Sequence, residues 1–538
     1  MEPVYPVLSP TYTPKKIIHG ANLEEALNIV GLGRHQWAFA IITGLAFLAA
    51  GLQNGITAFI LPSMKCDMGL TSSQMGLLNA AFLIGGIGSG LVWGAAVDTI
   101  GRRPVMFYGL LADAIITLAS AFTPSFVVFL VFRFLNGFVI GGPASVALMH
   151  VGELIPQEHR PRILCYTGLT WSVSWVAAAG LAWAVIPLDV SWPVFGDIDF
   201  TSWRLLLVLV AAIDFLSATL YLMVFESPKF HMSKGQNELA LEVLANVYAL
   251  NKQVPPSEYP VKSLEPLKNS NENVVNCSNK SIWRPIVVTL KQCRGLLQGP
   301  ALITTALTSF LWFTNMFGYY GLGLWMPELA NRYKVYESQG SNDSTYGISV
   351  CELSGFQTEI NLDLPSQNET STSCGGNVDP SVFLSTLISG CILVAGNIVA
   401  ALLASKLPRL IMPVILMFGA AACVMSLFLV RTSTENLIVS SLFQLCIGTA
   451  NLVQNALIID IFPPNVSGLA VCVTIMMGRV GAMISNLVLG QLLDVSCSIP
   501  IVMCAVFIAA GGVASMFIPR SYKETTKFPL AVISRSTA

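Results

Sequence analysis

The chain has 538 residues, of which 54% are hydrophobic and only 11% charged. A soluble surface usually draws on about 25% charged residues, so much of this surface must face lipid. The net charge of -1 excludes a global basic field for nucleic acid, and the 12 cysteines form no CxxC pair or His/Cys cluster at metal-ligand spacing. Neither a metal nor a cofactor is expected.

Residues 1–36 are polar and read as a tail, without the basic, apolar and small-residue order of a cleavable signal. The first apolar helix is then expected to act as an uncleaved signal. Tyr5-Pro-Val-Leu8 matches a tyrosine sorting pattern, a four-residue match that also arises by chance. A bilayer core of ~30 Å needs about 20 apolar residues at 1.5 Å each. Six such spans are predicted at about 37–61, 75–97, 104–122, 126–149, 164–187 and 203–225. A polar middle loop, 226–297, follows. Six more spans are predicted at about 301–326, 381–404, 409–430, 437–461, 468–492 and 499–518, and 519–538 is a tail. The domain plan is therefore a six-helix half at 37–225 and a second at 298–518, an all-α membrane protein.

Lys and Arg set the orientation. Lys15, Lys16, Arg34, Arg102, Arg103, Arg160, Arg162, Lys406, Arg409, the middle loop and the C-terminal tail fall on one side, which the positive-inside rule makes cytoplasmic. Both termini are expected there. Loop 327–380 then lies in the lumen or outside the cell. It holds the sequons of Asn342 and Asn368, candidates for glycosylation, and Cys351 and Cys374, candidates for a disulfide. The sequons of Asn276, Asn279 and Asn465 fall on the cytoplasmic side and are expected to stay bare.

Between the second and third spans stands Gly94-Ala-Ala-Val-Asp98-Thr-Ile-Gly101-Arg102-Arg103-Pro104. Small residues allow a close two-helix turn, and fixed charges hold one arrangement. The stretch resembles the loop signature of the major facilitator superfamily, G-x-x-x-D-x-x-G-R-R. The resemblance implies two six-helix halves and a conformational latch at Gly94, Asp98, Gly101, Arg102 and Arg103. The fourth span adds Arg133, Gly137 and Gly141, then Glu153-Leu-Ile-Pro156 and Arg160; after the sixth stands Phe225-Glu-Ser-Pro-Lys229. These resemble the sugar-porter and organic-ion branch, where Arg133, Glu153 and Arg160 would form a charge network at the latch. Asp460-Ile-Phe-Pro463 repeats Glu153-Leu-Ile-Pro156 in the second half, as a duplicated half predicts.

Closer still is a patchy likeness to the synaptic vesicle glycoprotein 2 group: Gly33-Arg-His-Gln-Trp37, Leu61-Pro-Ser63, Ala182-Trp-Ala-Val-Ile-Pro187, Ser202-Trp-Arg204, Tyr319-Tyr-Gly-Leu322 and Trp325-Met-Pro327. Members of that group carry acids in the first span near Ala50 and Gln53, and an Asp where Asn455 stands. This chain is neutral at all three, which puts proton coupling and cation preference in question.

Polar and aromatic residues at helical spacing are the cavity candidates: Gln53 and Asn54 in the first span, Trp171 and Trp175 in the fifth, Trp312, Asn315 and Tyr319 in the seventh, and Gln444, Asn451 and Asn455 in the tenth. They suit a neutral or weakly charged small organic solute. Membrane amides also serve as glue between helices. Arg479, mid-way along the eleventh span, either meets an anionic solute or a structural carboxylate. Asp113 and Asp214, on spans the fold places peripherally, read as structural. A secondary transporter working by alternating access is expected. The alternative is a transport-silent membrane glycoprotein of vesicles that acts through protein partners at its termini or lumenal loop. No G-x-x-x-x-G-K loop or nucleophile–base cluster supports an enzyme or an ATP-driven pump.

Overall fold

The computed structural model describes residues 17–188, 190–195, 198–266, 300–338, 379–403, 411–462, 464–493, 496 and 498–518. Twelve helices build its membrane body. The first six are Arg34–Met68, Ser72–Ile100, Arg102–Ala121, Phe126–Leu154, Arg160–Val185 and Ser202–Tyr221. The second six are Pro300–Ser338, Pro380–Leu403, Ile411–Ser426, Ser433–Ile461, Pro464–Leu492 and Ser498–Met516. Ten are long and apolar enough to cross a membrane by length and composition, and eleven when the bent segments of the second are joined. The seventh falls outside that set. It carries Thr304, Thr305, Thr308, Thr314 and Asn315, all buried, so its polar load is turned inward, away from lipid.

Local chemistry sets the ends. Gly69 closes the first span in the left-handed region, at φ 63°, where a glycine carries no Cβ penalty. Thr71 then opens the second span with a capping box to Gln74, and Thr432 accepts from the Glu435 N–H to open the tenth. Pro62 and Pro327 lie inside the first and seventh spans, where each removes one helical hydrogen bond.

Packing repeats with a shift of six. The first span packs on the fourth, fifth and sixth, the second on the fourth, and the third on the fourth and sixth. The seventh packs on the tenth, eleventh and twelfth, the eighth on the tenth, and the ninth on the tenth and twelfth. Between the halves the pairs are second with eleventh, fifth with eighth, and first with seventh; the first two of these exchange under the same shift. The structure is thus two pseudo-symmetric six-helix halves.

A second, smaller core sits on the face that carries the Asp98–Arg103 loop. It joins segments that the sequence reading separates into a tail and a loop. Helix Leu23–Val30 turns Ala26, Leu27 and Val30 against Ala240, Leu244, Val247 and Tyr248 of helix Asn237–Lys252. Both sets recur every three or four residues, the spacing of one helical face. Parallel bridges pair Ile18 with Val261 and Ala21 with Leu264, and the Tyr259 hydroxyl donates to the Ala26 carbonyl at 2.8 Å. Asn251 ties this core to the first span, accepting from the His35 N–H and donating to Gln36 Oε1. On the opposite face, Ser191–Phe195 and Ile198–Thr201 form an antiparallel hairpin between the fifth and sixth spans.

Candidate functional site

At mid-depth the halves meet through a band of aromatic and amide groups. Trp175 of the fifth span stands edge-on to Tyr319 of the seventh, ring centroids 5.8 Å apart, and Tyr319 stands edge-on to Tyr320 at 5.0 Å. Asn54 of the first span lies beside the Tyr320 side chain. Gln444 of the tenth lies beside Gly323. Trp171 tilts against Phe47 at 5.1 Å. Trp312 is buried and packs against Gly478. Asn451 and Asn455 are half-buried on the tenth span. Asn54 Oδ1, Trp175 Nε1, Trp312 Nε1 and Asn451 Oδ1 have no hydrogen-bond partner within the protein.

Two candidates point elsewhere. Gln53 turns into the first half, donating to Thr117 Oγ1 at 2.6 Å and Asp214 Oδ2 at 2.7 Å, because the spans behind it carry acceptors that a buried amide must satisfy. Asn315 turns toward the ninth span, 3.8 Å from Met417 Sδ. Arg479 reaches across to the Gly86 carbonyl and lies 3.5 Å from Ser89 Oγ. Its partners are a carbonyl and a hydroxyl of the second span, the side chain at position 86 being absent where the guanidinium lies.

A cavity runs from Trp175 and Gln444 toward the face opposite the loop, lined by Phe59, Met326 and the hydroxyls of Ser385, Thr386, Ser389, Ser433 and Ser440 with Asn436. The sequence reading missed this polar wall. Ser433, Asn436, Ser440 and Gln444 recur at offsets of three and four, so the stripe found at 444, 451 and 455 simply continues toward the start of the tenth span.

On that opposite face an ion network closes the halves on each other. Lys65 of the first span lies 3.1 Å from Glu328 of the seventh, Arg332 pairs with Glu328 at 3.1 Å, and Arg332 donates to Ser72 Oγ of the second at 3.1 Å. Beside it Gly76 and Gly490 cross so closely that a Cβ on either would collide with the other's backbone. Lys65 and Glu328 lie 263 residues apart, so the pairing has no local signal in the sequence.

The loop on the other face divides differently from expectation. Arg102 makes a two-pronged pair with Glu153, Nε–Oε2 3.0 Å and Nη2–Oε1 3.3 Å, and Lys229 approaches Glu153 at 3.8 Å. Glu226 accepts from the Arg102 and Arg103 backbone N–H groups. Gly101 adopts φ 102°, and a Cβ there would strike Glu226. Gly94 has open space where a Cβ would stand. Asp98 is 74% exposed and only 3.9 Å from Arg102. Arg160 pairs with Glu24 of the small core, at 2.9 Å, rather than with Glu153. Arg133 does not join the network at all. It lies 20 residues, about 30 Å of helix, from Glu153, and is buried with Nη1 3.3 Å from Thr57 Oγ1. Asp460 falls in the last turn of the tenth span, its side chain outside the described set. Asn342, Asn368, Cys351 and Cys374 also lie outside the described residues.

The Major Facilitator Superfamily model matches residues 43–486. The chain belongs to that superfamily. It is a multi-pass membrane protein of the transporter fold. Curated relatives include synaptic vesicle glycoprotein 2B of Mus musculus, 26% identical over 61% of this chain and 50% of its own, and glycoprotein 2A of Homo sapiens, 27% identical over 61% and 47%. The chain thus spans about half the length of these relatives in the matched region. Rattus norvegicus glycoprotein 2B aligns over 93% of this chain and 86% of its own at 22% identity. Among solved structures, the inward-open xylose transporter XylE of E. coli matches with TM-score 0.64 at 14% identity, covering 91% of this chain and 99% of that one. A bacterial homolog of the human lysosomal transporter Spinster, inward-facing, gives 0.61 at 13%, covering 93% and 100%. At these identities the structural likeness speaks to the fold.

Proposed function

We propose that this superfamily member is a secondary transporter of a small organic solute, working by alternating access between its halves, with both termini and the Asp98–Arg103 loop in the cytosol. The observation that carries the reading is the mid-depth band. Trp175 and Asn54 come from one half, Tyr319, Tyr320, Gln444 and Arg479 from the other. A solute held there touches both halves, so its binding energy depends on how they are set, which is what alternating access requires. Flat aromatic faces and amides suit an uncharged or weakly charged organic body. Arg479 adds a cation, which favours a solute that presents an acceptor or anionic group. Lys65, Glu328, Arg332 and Ser72 form the gate opposite the loop, and Arg102, Glu153 and Glu226 stiffen the loop so that the first half moves as one body.

The test is uptake into proteoliposomes across a panel of organic solutes, wild type beside Asn451→Leu and Trp175→Ala. Saturable uptake by wild type, lost in either variant, is the expected result. The vesicle glycoprotein relatives favour one second reading, a transport-silent glycoprotein of vesicle membranes acting through protein partners. Absence of flux for every solute with folded protein, together with capture of one partner by the purified full chain, supports that reading instead.

A further inference from the structure

Buried inside the first half, away from the band, two carboxyl groups face each other. Asp113 comes from the third span and Asp214 from the sixth, both fully buried and joined through Thr117 Oγ1, which accepts from the same Asn136 and Gln53 amides that serve the two carboxyls. Asn136 donates to Asp113 Oδ1 at 2.7 Å, and Gln53 donates to Asp214 Oδ2 at 2.7 Å. The remaining oxygens, Asp113 Oδ2 and Asp214 Oδ1, have no partner within the protein. Two ionised carboxylates cannot share such a site without a proton or cation between them. The charged group that faces the pair is Arg133 of the fourth span, itself buried with Nε and Nη2 unpartnered. The first span, packed on the fourth and sixth, supplies the neutral Gln53 and Thr57; the third and fourth add the neutral Thr117 and Asn136. Two carboxylates against one guanidinium leave one negative charge in the membrane interior, where an uncompensated charge is costly. One shared proton removes it.

We propose that Asp113 and Asp214, with Arg133, form a reversible proton site that couples solute movement to a proton. This rests on the transporter reading above. The first-span positions where an acid would be sought are neutral here, and the carboxylates come from the third and sixth spans instead. The chemistry is a single exchange: a proton bound between Asp113 Oδ2 and Asp214 Oδ1 leaves to water, and the freed carboxylate draws Arg133 toward the pair. Gln53 carries the change outward. It donates to Asp214, and the first span that carries it packs directly on the seventh of the other half, so a shift of the pair moves the first span against the seventh.

The site is tested without any solute by infrared pH titration of the full chain in lipid nanodiscs, following the C=O stretch of protonated carboxyl groups. Wild type is expected to show a protonated band at neutral pH that is lost on alkalinisation. Asp113→Asn and Asp214→Asn are each expected to lose it. The asparagines keep the volume and hydrogen bonding; should one fail to fold by size exclusion, the other decides alone. A band unchanged in the folded variants overturns the proposal, and so does a band absent in wild type whose place is taken by a sodium-dependent spectral change. Where uptake is found, Asp214→Asn is expected to keep solute exchange but lose its response to a pH gradient; retained gradient-driven uptake also overturns it. Failure of all uptake with an intact titrating band would instead sink the transporter reading and leave the proton site standing.

Discussion

Glu328 is the centre of the ion network proposed as the gate. It is 2% exposed and serves both Lys65, 28% exposed, and Arg332, 3% exposed. Removing one partner of a buried charge leaves the other uncompensated, so Glu328→Gln is expected to destabilise by about 3–5 kcal/mol. Lys65 is open to water, and Lys65→Met is expected to cost about 1 kcal/mol or less. Thermal unfolding of the purified variants checks the contrast; equal losses would mean the gate is held by packing instead. Arg133 carries the opposite lesson about reading residues from sequence. The family pattern assigns it to a charge network with Glu153, yet helix rise alone places it about 30 Å away. The acids it faces, Asp113 and Asp214, were visible as single charges in apolar runs, but their meeting is a fact of how the third and sixth spans pack.

At the scale of elements, the spans were legible because period and length are local properties. The predicted start of the second span, 75, and the observed one, Ser72, differ by the polar cap that hydropathy omits. The cavity stripe on the tenth span was read from 444 onward; Ser433 and Asn436 fall before the predicted start at 437, and Ser440 is a lone serine that hardly alters hydropathy. The small core escaped for another reason. Its helix Leu23–Val30 has eight residues, too short to stand alone in water, and its partner begins more than 200 residues later. Two predictions belong here. Tyr259→Phe removes a buried hydroxyl from the Ala26 carbonyl and is expected to cost about 0.5–1.5 kcal/mol, seen as faster tryptic cutting at Lys252 and Lys262; unchanged cutting would mean the core is held by its apolar face alone. Gly76→Ala adds a Cβ against Gly490, and such overpacking costs about 1–3 kcal/mol. The second and eleventh spans cannot then close. Uptake is expected to fall while the monomer peak on size exclusion is kept; undiminished uptake would show that this crossing does not move.

For the whole molecule, the duplication is the strongest statement available. The main packing pairs of the first half, first with fourth, fifth and sixth, second with fourth, and third with fourth and sixth, recur six spans later, and the second–eleventh and fifth–eighth pairs that join the halves exchange under the same shift. Such an arrangement has two equivalent ways to close, one on each face, and the described gate occupies one of them. On the other face Asp98 is largely exposed, so the loop's charges are satisfied within the first half. On the proposed function the two halves, which meet along the second–eleventh and fifth–eighth pairs as well as at the aromatic band and the ion network, rock against each other. The measurement that tests this most directly is uptake by a Val176→Cys, Gly390→Cys variant in proteoliposomes, before and after oxidation. A Cβ at Gly390 stands 3.5 Å from the Val176 Cα, within disulfide reach, so the bond holds the fifth and eighth spans together on the gate side. The account predicts saturable uptake in the reduced state, its loss when a disulfide pins the gate, and its return on reduction. Uptake that continues through the pinned gate would contradict alternating access by these halves.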